Sequence, residues 1–88
     1  MKVNGYELSS SDVDSAIRFM KNSVSFYWHD IEAVLEGKGV PRVMKNGYYS
    51  GYRVSMRAAD RIIQQQRKQG NIEYDRKDSK WKWVGSKA

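Results

Sequence analysis

The chain lacks cysteine altogether and has one proline and one histidine in 88 residues. Without cysteine, neither a disulfide nor a thiolate metal site can brace the core, and the composition fits a reducing compartment. A zinc site needs several histidine, cysteine or carboxylate ligands. His29 has no second histidine to join it and reads as a partly exposed helix residue, so no metal is expected. No apolar run approaches the ~20 residues that cross a bilayer. The opening, MKVNGYELSS, carries a lysine but no apolar stretch of the kind a signal peptide requires. The expectation is a soluble, cytoplasmic protein with no membrane partner. Glycine-rich phosphate loops and nucleophile elbows are missing too. Asp12, Asp14, Asp30 and Glu32 are the carboxylates a nuclease metal would need, but helix caps and a solvated face account for them better. The chain therefore reads as non-enzymatic, with no catalytic residue, cofactor or small-molecule substrate.

Charge is plentiful and unevenly spread. The net charge is +6. Residues 1–36 carry three basic and six acidic side chains, whereas residues 37–88 carry thirteen basic and four acidic ones. A one-sided basic excess is the electrostatic footprint of a polyanion binder. The same excess also describes the solvated surface of a basic protein, so charge alone does not decide the partner.

The patterning predicts one domain over residues 1–88, with a core of about 10–84 and a short tail at 85–88. Residues 3–8, with a turn signal at Asn4-Gly5, suggest a short edge strand or bridge. Ser10 or Ser11 offers an N-cap for a first helix running to about Asn22, with Val13, Ala16, Ile17 and Met20 on one face. Ser25 is the candidate N-cap of a second helix. Its buried stripe is expected to be Trp28, Ile31, Val34 and Leu35, with Asp30, Glu32 and Glu36 facing out. Gly37, Gly39 and Pro41 end it. Residues 37–51 form a basic, aromatic connection punctuated by glycine, and connections this long are often functional. Tyr48 and Tyr49 there, with Tyr52 just after it, would stack on bases, line a partner surface or cover the core.

The third helix is the plainest, from about Tyr52 to Gln69, with Gly70 as its stop. Ala58, Ala59, Ile62 and Ile63 fall within about 140° of arc, and the opposite face carries Arg53, Arg57, Asp60, Arg61, Gln64 and Lys68. Ile72 and Tyr74, then Trp81 and Trp83, alternate with polar residues as two strands of a hairpin. Its tip holds Arg76, Lys77 and Lys80, diluted by Asp75 and Asp78. At least one tryptophan of the hairpin is expected in the core.

This chemistry suits a DNA groove. An α-helix fits the major groove, where arginine pairs with guanine and glutamine with adenine through two hydrogen bonds each. Arg53, Arg57 and Arg61 are candidates for bases or nearby phosphates, Gln64 comes next, and Lys68 suits a phosphate. Arg76, Lys77 and Lys80 suit the backbone or the minor groove.

The stretch from Ser55 to Asp75, a helix closed by Gly70 and an isoleucine strand, with the return strand Trp81-Lys82-Trp83-Val84, resembles the winged helix-turn-helix superfamily. Phe26–Leu35 resembles the second helix of such domains. The resemblance covers roughly residues 10–84 as a pattern, without a sharp sequence signature, and the 37–51 connection is longer than the tight turn of most members. It implies an α+β fold, a three-helix bundle with a C-terminal β-hairpin wing. The implied function is duplex DNA binding by the third helix and the wing, as in small phage-type transcriptional regulators. A homodimer reading two half-sites is compatible with it. The competing expectation is a protein-interaction module on the same scaffold, docking on an acidic host protein through the 37–51 segment.

Overall fold

A computed structural model describes residues 1–3, 5–41 and 54–85. The expectations for Arg53, for Tyr48, Tyr49 and Tyr52, and for most of the 37–51 connection fall outside these residues. The described elements are β1 (Lys2–Val3), β2 (Tyr6–Glu7), α1 (Ser10–Ser23), β3 (Ser25–Phe26), α2 (Trp28–Gly37), α3 (Val54–Lys68), β4 (Ile72–Asp75) and β5 (Lys80–Trp83). The fold is α+β, with three helices and small antiparallel sheets among the described residues.

Helix α1 starts one residue earlier than Ser10 or Ser11 suggested. Ser9 is its N-cap: the hydroxyl accepts the Asp12 N–H at 3.1 Å, and the Asp12 carboxylate accepts the Ser9 N–H at 3.4 Å. This reciprocal pair satisfies two orphan donors of the first turn. Ala16 and Met20 are fully buried, and Val13 and Ile17 pack against the same core.

Helix α2 departs from expectation in three ways. Ser25 is not its cap but part of β3, and Tyr27 holds the N-cap position with its N–H donated to the Asp30 carboxylate at 2.9 Å. Trp28, expected in the core, is 48% exposed. Glu32, expected outside, is buried, and Glu36 accepts a hydrogen bond from the Ser55 hydroxyl at 2.7 Å. The buried arc of α2 is thus rotated toward α3, because α3 packs on the Glu32–Glu36 side while Val34 stays only half-buried beside Phe19 of α1.

Helices α2 and α3 end alike. The Val40 N–H reaches the Leu35 carbonyl and the Gly39 N–H the Glu36 carbonyl, at 3.0 and 3.1 Å. Asn71 and Gly70 repeat the pattern on Gln66 and Arg67. Each closure needs a residue with positive φ, which Gly39 and Gly70 supply at +95° and +80°.

The core gathers Leu8, Met20, Phe26, Ile31, Leu35, Val54, Ile62, Ile63 and Ile72 from nearly every element. On α3 the apolar arc includes two unforeseen polar residues, Ser55 and Gln66, both buried. Gln66 is satisfied by the Asn71 side-chain amide at 2.6 Å.

The C-terminal hairpin is β4–β5, as the alternation predicted, with Ile72 opposite Trp83 and Tyr74 opposite Trp81. It is not freestanding. β5 lies between β4 and β3, pairing Phe26 with Trp81 and Ser25 with Lys82. The Trp83 N–H adds a 2.7 Å bond to the Val24 carbonyl, where the chain reverses between α1 and β3. Trp81 and Trp83 are partly buried against the core rather than enclosed by it. A second hairpin, β1–β2, packs through Val3 against α3.

Candidate nucleic-acid interface

Burial on α3 divides the helix as its periodicity implied. Ala58, Ala59, Ile62 and Ile63 are buried, and Arg57, Asp60, Arg61 and Lys68 are exposed, with Gln64 half-buried. The exposed residues are not equivalent. Arg61 donates from Nη1 to the Lys2 carbonyl at 2.8 Å, which ties the first hairpin to α3. Val3, Arg57, Asp60, Arg61 and Gln64 line a shallow groove of about 260 Å³ along that junction. The Gln64 carbonyl accepts the Arg67 Nε–H at 2.8 Å. A two-bond contact from Gln64 to adenine must therefore share or open that bond, since the contact uses the same oxygen.

The hairpin tip is organised by Asp75. One carboxylate oxygen accepts the N–H of Lys77 at 2.9 Å and of Asp78 at 3.4 Å, and the other meets Lys82 Nζ at 2.7 Å. Lys82 also lies 3.7 Å from the Asp78 carboxylate. The hydrogen bond from Lys82, with those from the turn, holds the Asp75 carboxyl below its ordinary value, and the same partner raises the Lys82 ammonium above its own. The two acidic residues of the tip thus neutralise Lys82 and shape the turn, while Arg76 and Lys77 extend into solvent. Lys80 is partly buried, with its ammonium 5.2 Å from the centre of the Tyr27 ring.

Between α3 and the hairpin lies a row of aromatic side chains that sequence patterning did not reveal. Trp28 lines a groove of about 360 Å³ with Met56, Arg57 and Asp60. Its ring meets His29 edge-on at 5.8 Å, and His29 stacks on Tyr27 at 5.1 Å with an interplanar angle of 11°. Tyr27 in turn carries Lys80. Ring contacts therefore run from Trp28, which shares a groove with Arg57 of α3, through His29 and Tyr27 to Lys80 at the base of the hairpin tip. Reading Trp28 as a buried helical position concealed this. It sits at the first position of α2, at the edge of the surface that faces α3.

Among the described residues no cluster of three or more histidine or carboxylate side chains is placed to hold a metal ion. No described helix is long and apolar enough to cross a membrane. No protein-family model, curated protein or solved structure matches this chain.

Proposed function

We propose that this protein is a winged-helix, non-enzymatic DNA-binding module, with α3 entering the major groove and the β4–β5 hairpin lying along the backbone as a wing. The observation that carries this reading is the row of rings from Trp28, which lines a groove with Arg57, through His29 and Tyr27 to Lys80. It lies between the exposed basic face of α3 and the base of the basic hairpin, and it is supplied by residues 27–29, far from both in sequence. The order of a third helix running directly into a hairpin supports the winged-helix part.

Within this reading the residues separate by role. Arg57 faces the bases or nearby phosphates, and Gln64 reads a base once its bond to Arg67 is shared. Lys68, Arg76 and Lys77 meet phosphates through counterion release. Arg61 acts chiefly by holding the β1–β2 hairpin beside the helix, which brings exposed Lys2 to the edge of the same surface. Transcriptional regulation of the phage type is the biological setting that fits a basic domain of this size.

The test is titration of labelled duplex DNA at low salt, followed by Arg57→Ala/Lys68→Ala. The double variant should bind at least tenfold more weakly while its melting temperature stays within a few degrees. Unchanged affinity would remove α3 from the interface.

A further inference from the structure

Trp28 is 48% exposed although it opens a helix that buries Ile31 and Leu35 in the core. Large aromatic side chains ordinarily contribute their area to a core. Here the indole borders a groove whose other walls are a thioether (Met56), a guanidinium (Arg57) and a carboxylate (Asp60). At about 360 Å³ the groove stands at the lower end of small-ligand sites, a size that suits one ring system. The ring is steadied from one side by the edge contact with His29, itself stacked on Tyr27.

We infer that Trp28, Met56, Arg57 and Asp60 form a site for a single unpaired nucleobase of DNA, preferring bases that bear an exocyclic amino group. This inference rests on the DNA-binding reading above. Uninterrupted duplex offers phosphates, sugars and base edges, and its base faces are covered by stacking, so a half-exposed indole finds little there. An unpaired base presents a free face, and stacking on an aromatic side chain is its usual mode of capture. Arg57 supplies the cation for the phosphate of the same nucleotide. The Asp60 carboxylate only accepts hydrogen bonds when ionised. It therefore suits the N4 amino group of cytosine or the N6 amino group of adenine. Thymine offers a carbonyl at the matching position, so it stacks without that hydrogen bond. The protein should accordingly favour a duplex with a single-stranded tail, such as a junction or frayed end, over a blunt one.

Fluorescence polarisation on one duplex core distinguishes the outcomes. The core is prepared blunt, with short oligo-dC tails and with short oligo-dT tails, each at the 3′ or the 5′ ends. The expected result is about tenfold tighter binding of a dC-tailed duplex than of the blunt one, in the range measured for one stacked base. The dT tail should fall between them. Trp28→Ala should bring the tailed-to-blunt ratio to about one, Trp28→Phe should retain part of it, and Asp60→Ala should equalise dC and dT tails. Circular dichroism melts establish that each variant is folded. Equal affinity for tailed and blunt duplexes, or a ratio that survives Trp28→Ala, overturns the inference while leaving duplex binding intact. Failure to bind any of the duplexes at low salt overturns the DNA-binding reading and this site with it.

Discussion

Removing Arg76 and Lys77 together isolates the contribution of the hairpin tip. Both side chains are exposed, and the turn that carries them is held by the Asp75 carboxylate through backbone N–H groups that alanine retains. The Arg76→Ala/Lys77→Ala variant should therefore fold as the parent does, with a melting temperature within about 2 °C, since exposed substitutions away from packing cost little. Its DNA affinity should respond differently to salt. Each neutralised phosphate contributes about −0.9 to the slope of log affinity against log salt. If Lys2, Arg57, Lys68, Arg76, Lys77 and Lys80 each meet one phosphate, the parent slope is about −5. Raising salt from about 50 to about 200 mM then weakens binding on the order of 10³-fold. Two fewer contacts make the slope shallower by about 1.8, so the variant loses about tenfold less across the same interval. Polarisation titrations at four salt concentrations measure both slopes. Identical slopes would refute the placement of the tip on the phosphate backbone, whatever the absolute affinities.

Four further outcomes follow from the packing and the charges. Ile62→Ala, at a fully buried position of α3, should cost about 3 kcal/mol in chemical denaturation, a large fraction of the stability of a domain this small. Ser55→Ala removes the hydroxyl that donates to the Glu36 carboxylate and should cost about 2 kcal/mol by the same measurement. Because the Asp75 pKa is lowered by folding, chiefly through the hydrogen bond from Lys82, its stabilisation of the hairpin is complete above the ordinary carboxylate value of about 4. That stabilisation is lost as pH falls through the lowered value. Amide exchange at Lys77 and Asp78 should quicken there relative to the helices, and Asp75→Asn should abolish the pH dependence. Arg61→Ala should release the β1–β2 hairpin, seen as faster amide exchange in β1 with protection of α1 unchanged.

The helices and the last hairpin were legible because their signals are local. The α3 face follows from periodicity alone, and Gly70 with the Ile72–Tyr74 alternation marks the turn into β4. β3 was not legible. Two residues are too few to show alternation, and Ser25-Phe26 becomes a strand only because Lys82 and Trp81 lie alongside. The same event displaces the N-cap of α2 to Tyr27. The burial of Glu32 and the exposure of Trp28 depend on how α3 crosses α2, a tertiary fact that helical periodicity does not contain. At the candidate interface, the charged residues could be named from sequence, but their partners could not. Sequence alone groups Arg61 with Arg57 and places Gln64 next, with nothing local to show that Arg61 meets the Lys2 carbonyl and Gln64 the Arg67 guanidinium.

The central place of β5 in its sheet has a kinetic consequence. Phe26, a core residue, has its strand partner at Trp81, so two segments more than fifty residues apart must meet to complete that sheet. Such distant pairings slow folding, because loop closure precedes the contacts that reward it. On a ribosome adding about 5–20 residues per second, Phe26 emerges several seconds ahead of its partner. During that interval the helices can assemble around an unfinished sheet, with an apolar strand edge open to any passing chain. Here the strand that follows the basic tip is also the one that completes the larger sheet.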